Sequence, residues 1–400
     1  MKVLLIHQFF LRKDQGGGQR FNEFVKTWAD QGIQVDVIAG SGHYLSENER
    51  ASGFVDVEDY YDNVKVWRCS VSNFYHKGVW GRLLGYSSYF LSSLFVLLFK
   101  AGKSYDVIIA TSPPLTIMFT GIIAKFLKSG KLVFEVRDLW PDAAVDLGVI
   151  KSKTVIHILK SLEKWFYKKA DYINVLSPDF KTYLIDRYNI SASKIWFVPN
   201  GGQEGVMVDP KITTKKDFVL VYAGAMSLAN NVSELLDLAA ATLEYDIKYM
   251  LVGEGTEKEA LQKRVVEEGL DHVSFLPLLS YPEVLDLIKK ADVGVVTYRW
   301  GDVLNMNYTN KMFDYLSCGI PVILTLPGAS KQFVEKKECG RWVEPGNVDD
   351  WKRVILDLKE DLILCNQLGM NGYSLIDTEF NREKLAVKYL ELMLKIVNKE

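Results

Sequence analysis

The sequence predicts an α/β fold with two tandem Rossmann-like domains, each a doubly wound parallel sheet, that face a common cleft. Short apolar runs alternate with helical patterns from end to end, which is typical of βαβ units. These runs form two series, separated by the turn Pro199-Asn200-Gly201-Gly202. The length of 400 residues also exceeds what one compact core usually holds.

The predicted strands of the first series are largely apolar runs of four or five residues, at 2–6, 35–39, 64–68, 107–110, 132–136 and 172–176. Those of the second series lie at 218–222, 248–252, 273–275, 293–296 and 322–324. We therefore expect a first domain at 1–197 and a second at 198–381, with residues 198–216 as the linker. The last helix, 382–400, has apolar residues at helical spacing and is expected to pack back on the first domain.

Composition excludes several classes of protein. A net charge of -2 lacks the basic excess of a nucleic-acid binder, and 48% hydrophobic residues argue against disorder. The four cysteines are widely spaced without a C-x-x-C pair, so neither a zinc site nor a disulfide framework is indicated. We expect a protein of the reducing cytosol, and we expect its N-terminus to be a buried strand rather than a signal peptide.

One segment resembles a membrane element. Residues 83–99 are uncharged and lie at the lower length limit for a bilayer span. Serines and Gly85 make the segment less hydrophobic, so we expect a buried or interfacial helix that does not span the membrane. Aromatic and basic residues precede it and favour the headgroup region of a membrane: Phe74, Tyr75, Lys77, Trp80 and Arg82.

Glycine-rich turns follow two of the predicted strands. Gly16, Gly17 and Gly18 precede Arg20 and a helical pattern, so their backbone N–H groups suit a diphosphate or a sugar hydroxyl. The run does not spell G-x-G-x-x-G, which disfavours a nicotinamide site. Gly253-Glu254 follows a strand in the second series in the same way, and both turns also fit a purely structural role.

Charged residues end the strand at 132–136. Arg137 and Asp138 fall where the carboxyl end of a strand meets the cleft, with Trp140 close behind. Asp138 is the candidate base for an acceptor hydroxyl, although an Asp that caps the next turn and pairs with Arg137 is an equal alternative. Ser112 and Pro113 end the neighbouring strand and are expected to line the same side.

The most informative segment is residues 310–323, where an apolar helix leads into a buried strand. Lys311 and Asp314 are its polar residues near the helix N-terminus, where anions are stabilised. A base and an acid at this spacing suit the phosphate and the ribose hydroxyls of a nucleotide. An ordinary amphipathic helix is the alternative.

These motifs together resemble the family 4 retaining glycosyltransferases of the GT-B fold, and within them the bacterial branch that builds O-antigen and capsule. The resemblance covers most of the chain and is most specific at residues 311–322. It implies transfer of a sugar from a nucleotide-sugar, usually a UDP-sugar, without a metal or other cofactor. The first domain would bind the acceptor and the second the donor.

The resemblance also assigns site residues. Lys311 and Asp138 would be catalytic, and the acceptor side would include Ser112, Pro113, Arg137 and Trp140. The donor would contact Gly17, Gly18, Arg20, Gly224, Gly253, Glu254, Tyr308, Thr309, Asn310, Lys311 and Asp314.

Two positions depart from the family pattern. Asp314 replaces the second of two glutamates, and Met306 stands where the first is expected. Many members also carry a basic residue near Gly224-Ala225-Met226-Ser227, so Lys311, the glycine backbone or Arg299 would have to meet the diphosphate.

The aromatic and basic segment suggests a polyprenyl-diphosphate-linked saccharide as acceptor. It also suggests peripheral binding to the inner face of the cell membrane. A UDP-sugar 2-epimerase of the same fold and a non-catalytic membrane-associated subunit are the alternatives.

Overall fold

The computed structural model describes residues 1–12, 20–41, 53–72, 74, 78–203, 206 and 217–398. The described residues up to Val198, together with those from Glu383 onward, form one compact unit. Those from Pro199 to Arg382 form another. We call them unit 1 and unit 2.

Unit 1 is built on an eight-stranded sheet in the order β3-β4-β2-β1-β5-β6-β7-β8. Its strands are β1 (Lys2–Ile6), β2 (Gln34–Gly40), β3 (Val55–Tyr61), β4 (Val64–Cys69), β5 (Val107–Ser112), β6 (Lys131–Val136), β7 (Tyr172–Val175) and β8 (Ile195–Phe197). Neighbours are parallel except β3, which runs antiparallel to β4. The chain order reverses between β1 and β5, and in open α/β sheets such a point is where ligands bind.

The helices of unit 1 lie on both faces of this sheet. They are α1 (Arg20–Asp30), α2 (Gly78–Phe99), α3 (Ile117–Lys128), α4 (Asp142–Asp146), α5 (Lys153–Lys169), α6 (Pro178–Tyr188) and α14 (Arg382–Val397). The first residue of α14, Arg382, belongs to unit 2. A short 3-10 helix, Ala192–Lys194, precedes β8.

Alternation along the strands separates the two faces. Val107 and Ile109 of β5 belong to the apolar cluster against which α1 and α14 pack. Within this cluster the indole N–H of Trp28 in α1 donates to the Ala386 carbonyl of α14 at 2.9 Å. Ala110 points to α3 on the other face, where a Cβ on Gly121 would lie 2.9 Å from its Cβ.

Ring contacts join the helices of that second face. Phe119 of α3 contacts Phe90 of α2, and it also contacts Trp165 and Phe166 of α5. Helices α2, α3 and α5 therefore form one layer.

Unit 2 is built on a six-stranded parallel sheet in the order β11-β10-β9-β12-β13-β14. Its strands are β9 (Phe218–Ala223), β10 (Ile247–Val252), β11 (Val273–Leu276), β12 (Val293–Val296), β13 (Val322–Leu324) and β14 (Gly340–Trp342). Its helices are α7 (Ser233–Ala241), α8 (Lys258–Glu268), α9 (Tyr281–Ile288), α10 (Asn310–Ser317), α11 (Gly328–Lys336), α12 (Val348–Glu360) and α13 (Leu362–Thr378). Two 3-10 helices, Leu228–Asn230 and Leu304–Met306, lie in loops.

Helix α10 is held tightly against the centre of this sheet. The hydroxyl of Tyr315 accepts from the Ala223 N–H at 2.8 Å and donates to the Val295 carbonyl at 3.2 Å. A Cβ on Gly294 would lie 2.2 Å from the ring of Tyr315, so only glycine fits there. The helix is thereby fixed relative to the ends of β9 and β12, where the strand order reverses.

The predicted fold class is confirmed, and each of the eleven predicted strands is present. Strands β3, β8 and β14 were not predicted. Strand β3 carries acidic residues on a sheet edge, and β8 and β14 have three residues each, so none forms an apolar run of ordinary length.

Helix α2 begins before the predicted apolar segment. Its residues Trp80–Phe99 are long and apolar enough to cross a membrane, and a third of that stretch is buried inside the protein. Such a helix is also compatible with the core of a soluble protein.

Candidate active site

Two glycine turns and a lysine meet at the carboxyl edge of the unit 2 sheet. Gly224 follows β9 and Gly253 follows β10. A Cβ on Gly253 would lie 2.0 Å from the Gly224 carbonyl oxygen, and one on Gly224 would lie 2.2 Å from Cε of Lys311. Both glycines are thus required for the backbone turns and the lysine side chain to pack together.

Lys311 is a partly buried cation at this edge. Its Nζ donates to Oδ1 of Asn230 at 2.5 Å and lies over the rings of Tyr222 and Tyr298, at 4.9 and 5.2 Å from their centroids. In the described part of the chain no acid pairs with it. Burial therefore lowers the pKa of Lys311 to about 7. A bound anion would stabilise the charged form of this buried ammonium group.

Asp314 lies one turn further along α10, on the same side as Lys311. Its Oδ1 accepts from the Tyr281 hydroxyl at 2.8 Å and lies 3.5 Å from Nη2 of Arg382. Sequence reasoning did not find Tyr281 or Arg382 because they are remote from Asp314 along the chain.

Three other predicted donor contacts, Tyr308, Thr309 and Glu254, bond to neighbouring groups of the protein. Thr309 caps α10 by accepting from the Met312 N–H at 3.3 Å. Tyr308 is buried, and its hydroxyl donates to the Ala329 carbonyl at 3.3 Å. Asn310 is the first residue of α10, and Glu254 pairs with Lys258 at 2.6 Å. Their role in donor binding stays a prediction.

In unit 1 a buried histidine joins the ends of three adjacent strands. His7 follows β1, and its Nδ1 lies 2.6 Å from Oγ1 of Thr111 in β5. Its Nε2 lies 3.5 Å from Nη1 of Arg137, which follows β6. Burial, together with the positive charges of Arg137 and Arg68, holds the pKa of His7 well below its usual range. The ring is therefore neutral and orients Arg137.

Asp138 follows Arg137 directly and is partly buried. Burial raises its pKa, against the opposing effect of Arg137. A carboxyl group with a raised pKa is a better proton acceptor once ionised, which suits the predicted base.

The other predicted acceptor-side residues lie nearby along the chain. Ser112 is buried and donates to the Glu135 carbonyl at 3.4 Å, and Pro113 continues that turn. Trp140 is partly exposed, and its backbone N–H donates to the Asp138 carbonyl at 3.0 Å.

Arg20 departs most from its predicted place. The side chain is buried, and its Nε pairs with Oε1 of Glu135 at 2.9 Å while Nη2 donates to the Val198 carbonyl at 2.7 Å. Asn174 and Tyr389 contact Oε2 of the same glutamate. These contacts give Arg20 a role in holding β6, β8 and α14 together, and they do not support the predicted donor contact.

Gly17, Gly18, Tyr75 and Lys77 lie outside the described residues. Phe74 and Trp80 are 53% and 79% exposed, and Arg82 is also exposed. Over the residues that the structure describes, no group of three or more His, Cys, Asp or Glu side chains could hold a metal ion.

Comparison with known families accounts for most of the chain. The sequence model "Glycosyl transferase 4-like domain" matches residues 15–201. The model "Glycosyl transferases group 1" matches residues 208–375.

A relative in Escherichia coli K12 is described as "Putative colanic acid biosynthesis glycosyl transferase WcaI". It is 23% identical over 343 residues, which cover 81% of this chain and 83% of the relative. An uncharacterized glycosyltransferase of Methanocaldococcus jannaschii, MJ1069, is 21% identical over 62% of this chain and 64% of its own.

Solved structures of other proteins share the fold along the whole chain. Sucrose-phosphate synthase of Thermosynechococcus elongatus superposes with a TM-score of 0.78 at 17% identity, covering 100% of both chains. Anabaena Alr3699/HepE in complex with UDP-glucose gives 0.70 at 17% identity, covering 99% of this chain and 100% of its own. The chain thus belongs to the family 4 glycosyltransferases of the GT-B fold, and it is a sugar-transferring enzyme.

Proposed function

We propose that this enzyme is a retaining glycosyltransferase that moves a sugar from a nucleotide-sugar, a UDP-sugar, to a lipid-linked saccharide. The product would enter a bacterial surface polysaccharide such as O-antigen or capsule. The observation that carries the proposal is Lys311, a cation without an acidic partner among the described residues, packed against the glycine turn after β9.

The donor site follows from the chemistry of this edge. A bound diphosphate would be the anionic partner of the Lys311 ammonium group. It would lie close to the N-terminus of α10, where the helix dipole also favours anions. Asp314 is one turn away and would accept hydrogen bonds from the ribose hydroxyls. Glycine at 224 and 253 lets the backbone approach the ligand closely.

The reaction needs little covalent chemistry from the protein. The bond between the sugar C1 and the diphosphate breaks, and C1 bonds to the acceptor oxygen on the same face. Lys311 would stabilise the departing diphosphate, where negative charge grows most in the transition state. The acceptor proton would pass to Asp138, or to the leaving diphosphate oxygen. No metal is invoked.

Relatives support the choice of substrates. Alr3699/HepE has been solved with UDP and with UDP-glucose, and the relative in Escherichia coli carries colanic acid biosynthesis in its name. WaaG, a neighbour with a TM-score of 0.66 and 14% identity, is described as involved in lipopolysaccharide biosynthesis.

A lipid-linked acceptor requires a surface that meets the membrane. Helix α2 exposes a row of large apolar side chains at helical spacing: Trp80, Leu84, Leu91 and Leu98. On the layer α2, α3 and α5 the only acid is Glu163, which is buried, whereas eight residues are Lys or Arg. Two of these eight, Lys125 and Lys160, pair with Asp171 and Asp142, which lie outside the three helices. We therefore place this layer on the anionic inner face of the cell membrane.

The donor assignment is tested by thermal unfolding with UDP, GDP, ADP and TDP, since a ligand that binds only the native state raises the melting temperature. We expect UDP to give the largest shift and Asp314→Ala to remove most of it. Asp286→Ala, which removes an exposed acid elsewhere in unit 2, is the matched control. Equal shifts in wild type and Asp314→Ala would contradict the assignment.

The membrane assignment is tested by flotation with vesicles of phosphatidylcholine, with and without phosphatidylglycerol. We expect binding to the anionic vesicles that is lost in Trp80→Ser combined with Leu91→Ser. Ile363→Ser removes an equally exposed apolar side chain in unit 2 and should leave binding intact. Absence of wild-type binding would refute the membrane surface and leave the donor site untouched.

A further inference from the structure

Arg382 is a buried arginine with a fixed anchor. Its Nε and Nη2 donate to the Gly201 carbonyl at 3.0 and 2.8 Å. The same Nη2 lies 3.3 Å from the Tyr281 hydroxyl and 3.5 Å from Oδ1 of Asp314. One guanidinium edge therefore meets both the main chain and the carboxylate on α10.

The anchor is itself tied to α10. The N–H groups of Gly202 and Arg382 bond to the carbonyls of Phe380 and Gly202, both at 2.9 Å. Ser317 of α10 accepts from the Gln203 N–H at 3.0 Å, and a Cβ on Gly202 would lie 2.0 Å from its Oγ. The position of Arg382 is thus set relative to the helix that carries Asp314.

Tyr281 approaches the same carboxylate from α9. Its hydroxyl donates to Oδ1 of Asp314 at 2.8 Å, and its ring lies 5.7 Å from the guanidinium carbon of Arg382. Ser280 caps the start of α9, and its N–H donates to Glu283 at 2.8 Å. Tyr281 is the first residue of α9, so the capped N-terminus of this helix fixes the backbone from which its side chain extends.

We propose that Tyr281 and Arg382 are positioning residues that hold the carboxylate of Asp314 in the orientation needed for the ribose hydroxyls of the donor. Two donors on one oxygen fix the rotation of the short Asp side chain before the ligand arrives. Such preorganisation reduces the ordering cost of binding. This inference rests on the proposed donor site, because it assigns partners to its acid.

The test compares the dissociation constants of UDP, 2′-deoxy-UDP and 3′-deoxy-UDP by calorimetry. A site that hydrogen-bonds a hydroxyl rejects the analogue without it, so we expect wild type to prefer UDP over at least one analogue by about tenfold. Tyr281→Phe and Arg382→Lys should reduce that preference about threefold or more, with little change in affinity for the analogue.

A matched control separates positioning from general damage. Tyr245→Phe removes a hydroxyl elsewhere in unit 2 and should keep the wild-type preference. Because Tyr281 is only partly buried, Tyr281→Phe should fold even if a change at the buried Arg382 does not.

The outcomes also distinguish this inference from the donor site itself. A preference that Asp314→Ala abolishes but that Tyr281→Phe and Arg382→Lys retain would overturn the positioning role alone. Equal binding of UDP and both analogues by wild type, or no binding of any of them, would overturn the ribose role of Asp314 and the inference with it.

Discussion

We expect the affinity of the enzyme for a UDP-sugar to fall as the pH rises through neutrality, because of Lys311. Burial lowers its pKa to about 7 in the ligand-free protein, so about half of the molecules carry the charge at that pH. A bound diphosphate favours the ammonium form and raises the pKa again. Binding must therefore take up a proton above neutral pH.

The size of the effect follows from the fraction of charged lysine. With a pKa of about 7, that fraction falls from about nine tenths at pH 6 to about one tenth at pH 8. If the charged form alone binds well, the dissociation constant rises about tenfold over this interval. The proton uptake rises from about one tenth to about nine tenths of a proton per site.

Isothermal titration calorimetry in buffers of different ionisation enthalpy measures both quantities. A UDP-sugar is a better probe than UDP, because its diphosphate has no terminal phosphate that titrates near neutral pH. Asp286→Ala serves as a control that leaves Lys311 unchanged, and Lys311→Met removes the titrating group.

Lys311→Met should bind weakly at every pH, with no proton uptake. An affinity in wild type that is constant from about pH 6 to about pH 8, or a proton uptake that persists in Lys311→Met, would refute the reasoning.

Three further predictions concern other residues. Burial raises the pKa of Glu163 to about 7; the native state therefore holds the proton more tightly, and stability present at low pH is lost as the pH rises from about 4.5 to about 7. Glu163→Gln should reduce the loss of unfolding free energy between about pH 5 and pH 8 by up to about 3 kcal/mol, measured by urea denaturation, and an unchanged loss would contradict this account. Gly224→Ala should weaken UDP binding about tenfold, because its Cβ would displace Lys311. Gly346 also has a positive φ, so Gly346→Ala strains the backbone too, but it has open space around its Cβ and should bind UDP normally. Asp138→Asn should lower kcat about 100-fold without changing UDP affinity, and full transferase activity would remove its role as the base.

The sequence allowed the fold to be predicted where strands are buried. Strands such as β5 and β12 were predicted from their continuous apolar runs, because central parallel strands are covered on both faces. Strand β3 was not predicted, because it is only partly buried and its acidic residues interrupt the apolar run.

Site residues could be predicted only where several of them lie close together in the sequence. Lys311 and Asp314 share one helix, and their spacing alone suggests a common ligand. Arg382 and Tyr281, which contact Asp314, come from other parts of the chain and carry no local signal. His7 was likewise missed, because its partners Thr111 and Arg137 are brought to it by strand order.

Arg20 is the opposite case, a residue that the sequence suggests for the site and that makes structural contacts. A cation after a glycine run suggests a phosphate ligand, yet the side chain lies in the interior beside Glu135. Strand β6 supplies an acid at a buried position, and only the packing of α1 on the sheet brings the two together. Sequence alone could not indicate that pairing.

The anomeric configuration of the product tests the central claim most directly. The enzyme would be incubated with the UDP-sugar that binds best and with a short polyprenyl-diphosphate-linked saccharide, and the product analysed by mass spectrometry and NMR. We predict a lipid-linked product lengthened by one sugar, with the configuration that the sugar had in the donor. An inverted linkage would contradict the retaining mechanism, and an epimerised nucleotide-sugar or no transfer at all would contradict the account as a whole.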